Sequence, residues 1–171
     1  MRYSTTVGVD LAKNIIQVSI VSGSGKELLN RSLTRKKFTE FLGKQKSSLV
    51  AFESCATAHY WARKAEQHGH QARIIPAKFV APFRQGHKTD SNDALAVAEA
   101  ARRPNIKEAP LKTVEQQGLQ AIHRSRELLI QQSTALSNQL RGLLLEFGVV
   151  IPQGFAPLPV LPSSAVQIPG E

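Results

Sequence analysis

Cysteine is almost missing from this 171-residue chain: Cys55 stands alone. That excludes an internal disulfide framework and a multi-cysteine zinc site, and it suits a reducing compartment. No apolar run approaches the ~18–20 residues of a membrane span. The opening Met1-Arg2-Tyr3-Ser4-Thr5-Thr6 lacks the apolar stretch of a secretory leader. The expected setting is the cytoplasm, with no membrane partner. Acidic residues are the minority, 13 against 22 Lys plus Arg, for a formal charge of +9. A balance of that sign favours an anionic partner, nucleic acid being the commonest. Basic residues are themselves absent after Arg141, and Pro152 to Glu171 holds five of the nine prolines. Such a stretch neither continues a helix nor pairs as a central strand. An extended or disordered tail is expected over 152–171.

What remains is rich in core formers, with 42% apolar residues. Thr6–Asp10 is short and β-rich, and Ile15–Val21 is apolar with Gln17 and Ser19 interrupting at period two. After the turn Gly23-Ser24-Gly25-Lys26, Glu27–Leu33 reads as a third strand, completing an antiparallel meander. Thr34 is placed to cap a helix that turns Phe38, Phe41 and Leu42 to one side. Leu49–Glu53 is a fourth strand. Thr57 is placed to cap a helix to about His68, with Tyr60, Trp61 and Ala65 inward and Gly69 as its stop. Ala72–Ile75 is a fifth strand, ended by Pro76. This order predicts an α/β fold, a mixed sheet with flanking helices. Asp90–Arg103 is a helix stopped by Pro104. Thr113 to about Phe147 is a long helix with Ile122, Leu129, Leu136 and Leu143 every seven residues, joined by Leu140 and Phe147. That seam is coiled-coil-like; it either packs on its own domain or pairs with another chain. The expected divisions are 1–104, 105–151 and 152–171.

Four carboxylates form the strongest chemical pattern. Asp10 closes the first strand and Glu53 the fourth, while Asp90 and Asp93 lie three apart at a helix start. Singly each has a plain reading: Asp10 a turn residue, Glu53 a paired surface group, Asp90 and Asp93 a helix cap with a favourable first-turn charge. An acid ending an apolar strand is costly unless compensated. If the two strands are neighbours and the helix arrives at their ends, the four make an all-oxygen site for Mg²⁺ or Mn²⁺. Such ions serve phosphodiester chemistry. Lys13, Arg84, His87 and Lys88 are the basic groups placed beside these acids and are the candidate nucleic-acid contacts. Arg35-Lys36-Lys37 and Lys44 with Lys46 either track a phosphate backbone or form a solvated face. Cys55 has His59 four residues on but no third ligand, and it is expected to be a buried structural thiol. Gly23-Ser24-Gly25-Lys26 lacks the remaining positions of a phosphate loop.

Gly8-Val9-Asp10-Leu11-Ala12-Lys13, Phe52-Glu53-Ser54-Cys55, Ala58-His59-Tyr60-Trp61-Ala62-Arg63 and Lys88-Thr89-Asp90-Ser91-Asn92-Asp93-Ala94 resemble the N-terminal half of the insertion-sequence 110 family of transposases. Arg102-Arg103-Pro104-Asn105, Val114-Glu115-Gln116-Gln117, Arg141 to Gly148 and Pro152-Gln153-Gly154 extend the likeness over about residues 5–154. The resemblance implies an RNase H-like (RuvC-type) domain whose DEDD metal site falls on Asp10, Glu53, Asp90 and Asp93. It further implies a coiled-coil segment for self-association, DNA as substrate and a structured guide RNA. It also implies a serine nucleophile in a separate C-terminal domain. The likeness stops after Gly154, so that domain and its serine are expected to be lacking, as in a truncated product. Two functions follow: the metal-dependent N-terminal portion of a transposase, or a non-catalytic remnant that binds nucleic acid or pairs through the long helix. An ATP-binding protein of the actin and sugar-kinase type opens similarly but needs a second Gly-rich phosphate loop, and none follows residue 86.

Overall fold

A computed structural model describes residues 4–87 and 89–152. The chain divides into two compact units, Met1–Thr113 and Val114–Glu171. Five strands and four helices build the first: β1 (Thr5–Leu11), β2 (Ile15–Ser22), β3 (Glu27–Thr34), α1 (Arg35–Lys44), β4 (Leu49–Glu53), α2 (Ala58–Gln67), β5 (Gln71–Ile75), α3 (Ala77–Val80) and α4 (Asp90–Ala101). A 3₁₀ turn at Ala81–Phe83 follows α3. The sheet order is β3-β2-β1-β4-β5. β2 is antiparallel to both β1 and β3, while β4 runs parallel to β1 and β5 to β4. This is the expected mixed α/β architecture. The meander supplies one half and two crossover helices supply the other.

Strand alternation sorts side chains between two layers. Val7, Val9, Ile16, Val18, Val50, Phe52 and Ile74 face α1 and α2, where they enclose Phe38, Leu42, Trp61 and Ala65. Phe38 meets Trp61 edge-on at 4.9 Å between ring centroids, a geometry that adds to plain burial. Thr34 caps α1 as expected, its hydroxyl accepting the Lys37 amide, a bond of about 1 kcal/mol. His70 ties the end of α1 to the start of β4. Its Nδ1 accepts the Ser48 amide, so Nε2 carries the proton and donates to the Leu42 carbonyl at 2.9 Å.

The other layer is thinner. Leu49, Ala51 and Ile75 meet Val80, Ala96, Val97, Ala100 and Ala101. α4 is so rich in alanine that its backbone lies almost on the sheet. Gly8 is where β1 yields to it: a Cβ there would fall on the Ala94 carbonyl oxygen and 2.5 Å from the Ala98 amide nitrogen. The C-terminal end of α4 is tied down twice. Arg73 of β5 donates to the Ala101 carbonyl at 2.7 Å, and Arg102 reaches the Gly23 carbonyl at 3.0 Å. The stretch after α4 returns along β5, with the Ala109 amide donating to the Ile74 carbonyl at 2.7 Å. Arg63 then holds the Lys112 carbonyl at 2.6 Å.

Three local expectations are corrected. Tyr60 is 43% exposed; the buried stripe of α2 is Ala58, Trp61, Ala62 and Ala65, and Tyr60 falls one step off it, against the edge of Trp61. Thr57 occupies the cap position with φ of 73° and accepts no capping hydrogen bond. Its left-handed backbone turns the side chain away, a strained state for a β-branched residue. Cys55 is exposed because it lies in the turn between β4 and α2.

The second unit holds α5 (Val114–Leu145), 32 residues long. Ile122, Leu129, Leu136 and Leu143 are 55–66% exposed along it. Gly148, at φ of 73°, ends it in a left-handed cap, with the Val149 and Gly148 amides bonded to the Leu144 and Leu145 carbonyls. Among the described residues no helix is long and apolar enough to cross a membrane. The Pro-rich stretch expected over 152–171 lies, beyond Pro152, outside the described residues.

Candidate metal centre

The parallel pairing of β1 with β4 decides where the first two acids stand. Val9 is in register with Phe52, so Asp10 and Glu53 are the next residues on adjacent strands and share the face covered by α4. Each is half-buried. α4 begins over the same edge. Thr89 caps it by accepting the Asn92 amide, and the Asn92 side chain donates back to the His87 carbonyl at 2.8 Å. Asp90 and Asp93 therefore occupy its first turn. Asp90 is exposed, whereas Asp93 is only 7% exposed.

Asp10 lies in the field of the other three acids. The Asp10 carboxyl is raised above its ordinary value, first by burial and then by the charges of Asp93, Asp90 and Glu53, with the Leu11 amide opposing. Cys55 reports the same field: partly desolvated although exposed, its thiol is pushed up by that desolvation and then by Glu53 and Asp10. Asp93 is neutralised by an ion pair with the Arg84 guanidinium. Arg84 follows the 3₁₀ turn, so the short α3 and its extension serve to present a cation to α4.

This donor set fits a hard divalent ion in kind. All four groups are carboxylates, with no sulfur or imidazole among them, and their mutual repulsion is what a cation relieves. Among the described residues, no three Asp, Glu, His or Cys side chains already stand close enough to grip an ion. Asp93 faces Arg84 instead.

The expected nucleic-acid contacts have separate fates. Lys13 is exposed in the β1–β2 turn, its carbonyl 3.5 Å from the Arg35 guanidinium. Arg84 is engaged with Asp93. His87 contributes its backbone carbonyl to the α4 cap and leaves its ring exposed. Lys88 lies outside the described residues. Arg35 is drawn over the Trp61 ring at 5.1 Å, while Lys36, Lys37, Lys44 and Lys46 are exposed. His59 is no partner of Cys55. Its Nδ1 accepts the Lys112 amide at 3.3 Å, and burial, Lys112 and Arg63 together lower its pKa.

Sequence reasoning missed a polar row beside the acids. Asp10 pairs across the ladder with Gln17, and Gln17 with Ser32. Gln17 is only 7% exposed because α4 covers it. Its Oε1 accepts from Ser32 and its Nε2 donates to Asn30, both at 2.6 Å. The available signal was a glutamine at a period-two position of a largely apolar strand, directly opposite Asp10 in the hairpin.

Comparison with known proteins bears on the whole arrangement. Residues 7–148 match the family model for DEDD transposases of the insertion-sequence 110 type, described as "Transposase". The chain is 43% identical over 144 residues to a probable family 20 transposase of Pseudomonas aeruginosa, covering 84% of this chain and 43% of that protein. It is 39% identical over 152 residues to the transposase for insertion sequence element IS1328 of Yersinia enterocolitica, covering 89% and 46%. It is 36% identical over 167 residues to the transposase for insertion sequence element IS1111A of Coxiella burnetii, covering 95% and 46%. The chain thus spans less than half the length of these relatives. Among solved structures, Thermus thermophilus RuvC in complex with a Holliday junction substrate is 14% identical with a TM-score of 0.48, covering 63% of this chain and all of that one. With a single family model running from β1 to the end of α5 and three transposases aligned along that length, the chain belongs to the insertion-sequence 110 family of DEDD transposases.

Proposed function

We propose that this chain is the N-terminal portion of a DNA transposase. Residues 1–104 form its catalytic domain, onto which the non-helical stretch 105–113 also packs, and Val114–Leu145 forms its helical segment. Asp10, Glu53, Asp90 and Asp93 hold Mg²⁺ or Mn²⁺. The observation that supports this reading is the register of β1 with β4, which makes Asp10 and Glu53 the next residues on adjacent strands, on the face covered by the helix whose first turn bears Asp90 and Asp93. An ion held by these four residues would supply positive charge at a phosphate and would favour activation of an attacking oxygen. Asp10 and Glu53, on adjacent strands of the sheet, provide the rigid half of the cluster. Asp90 and Asp93, on the first turn of α4, provide the half that depends on how the helix is seated. Lys13 and the exposed lysines of α1 attract the phosphate backbone of DNA, with a structured guide RNA as a second polyanionic partner. α5 associates with a second copy through its exposed leucine seam. Recombination in full requires the serine nucleophile that the family carries in a C-terminal domain.

Titration calorimetry with Mn²⁺ and Mg²⁺ tests the metal site. Wild type is expected to bind, and Asp10→Ala and Asp93→Ala are each expected to weaken binding at least tenfold. Binding unchanged in both variants rejects the four-carboxylate assignment. One observation favours a second reading, a non-catalytic nucleic-acid-binding or dimerising protein: Arg84 already neutralises Asp93. On that reading wild type binds neither ion while still retaining nucleic acid.

A further inference from the structure

The packing of α4 on β1 is an alanine face on a glycine. Such a surface sets how close the helix lies, and Arg73 and Arg102 anchor its C-terminal end, at the opposite end from the turn that carries the acids. One residue along the axis is 1.5 Å, three times the ~0.5 Å tolerance of a working site. The Thr89 cap and the Asn92–His87 bond are local and decide only where the helix begins. The first turn has its own tie to the sheet.

Asn30 of β3 makes it. Its Nδ2 donates to the Ser91 carbonyl at 3.1 Å, across 61 residues of sequence, and Ser91 lies between Asp90 and Asp93. The Asn30 amide is itself oriented from behind. Its Oδ1 accepts from Gln17, which leaves Nδ2 as the end that reaches Ser91, with the Glu27 carboxylate a longer second partner at 3.4 Å. Gln17 in turn is fixed by the Ser32 hydroxyl. Gln17 is buried with both ends of its amide bonded, so it holds one orientation and presents a fixed donor to the half-buried Asn30. The row Asp10, Gln17, Ser32 crosses three neighbouring strands. The same row that carries one acid thereby holds the turn that carries two others.

We propose that Asn30 is a positioning residue of the acidic cluster: backed by Gln17 and Ser32, it holds the Ser91 carbonyl and so sets Asp90 and Asp93 against Asp10 and Glu53. The consequence for metal affinity rests on the four-carboxylate reading above; the consequence for the helix does not. The test measures amide hydrogen exchange over residues 91–94 in the metal-free chain, and Mn²⁺ affinity by calorimetry. The variants are Asn30→Ala, Asn30→Asp, Ser32→Ala and, as a control on the same strand, the exposed Leu28→Ala. Asn30→Asp keeps the shape and the acceptor toward Gln17 but has no proton for Ser91, and it covers the case in which the alanine variant does not fold.

Exchange in the first turn of α4 should accelerate about tenfold in both Asn30 variants and less in Ser32→Ala, with the Leu28→Ala control unchanged. Mn²⁺ affinity should fall about tenfold in Asn30→Ala. Exchange at the wild-type rate in both Asn30 variants overturns the proposal, whatever the metal does. Faster exchange in a protein whose wild type binds no Mn²⁺ supports the positioning role and rejects the metal reading instead.

Discussion

Gly8 of β1 and Ala94 of α4 meet backbone to backbone, with the Ala94 carbonyl oxygen occupying the place of a Gly8 Cβ. Asp10 lies two residues beyond one partner, on the same face of β1, and Asp93 one residue before the other. The closeness of strand and helix is therefore also the closeness of the two acids.

Replacing Gly8 should cost stability and the site together. A Gly8→Ala methyl meets backbone on α4 and has no flexible neighbour to push aside. The expected loss is about 3 kcal/mol, the upper end for overpacking. Urea unfolding of the first unit measures it. A loss below about 1 kcal/mol would show that α4 is free to lift.

The pH dependence of stability should carry the mark of Asp10. A carboxyl whose folded pKa is raised binds its proton more tightly folded than unfolded, so its contribution is favourable in acid. That contribution is lost as pH climbs from its ordinary value of 3.8 through the raised folded value. Without metal, Asp10→Asn should accordingly be more stable than wild type at pH 7, the difference shrinking toward pH 4. Thermal melts across that range decide it, and a less stable Asp10→Asn at pH 7 contradicts the crowding of these acids.

Arg84 should be replaceable by a cation from solution. Its side chain is 28% exposed and that of Asp93 10%, so Arg84→Gln leaves a largely buried carboxylate unpaired. The expected cost is about 2 kcal/mol, below the 3–5 for a fully buried pair. Millimolar Mn²⁺ should restore more of the melting temperature in Arg84→Gln than it adds to wild type. An equal gain in both proteins would mean that the ion does not address Asp93.

The α5 seam should govern association. Sedimentation of the wild-type chain is expected to show a concentration-dependent oligomer, and Leu129→Glu with Leu136→Glu to leave a monomer, since charge in an a/d seam opposes pairing. A monomeric wild type at high micromolar concentration would rule out self-association through this helix.

Much of this protein was readable in one dimension. The strands and the longer helices followed from periodicity to within two residues at each end, whereas the short α3 and the 3₁₀ turn after it did not. Asp10 and Glu53 stood out because an acid at the end of an apolar strand requires a reason. Tyr60 and Thr57 were misplaced because a one-residue rotation on a helix and a backbone handedness are not composition. Gln17 is the most instructive case. Period-two alternation marks it as polar, yet it is buried, because α4, arriving from more than seventy residues downstream, covers that face of the sheet.

The sequence by itself determined the elements, the family motifs and the identity of the acids, since each depends on local spacing and chemistry. Only the tertiary structure decided that β4 pairs parallel to β1 and brings Glu53 beside Asp10. It likewise decided that Arg84 rests on Asp93, and that Asn30 reaches the first turn of α4. Those are contacts between segments far apart in the chain. Their geometry is set by how closely an alanine-rich helix can approach a glycine in a strand, and no periodicity along the chain encodes that.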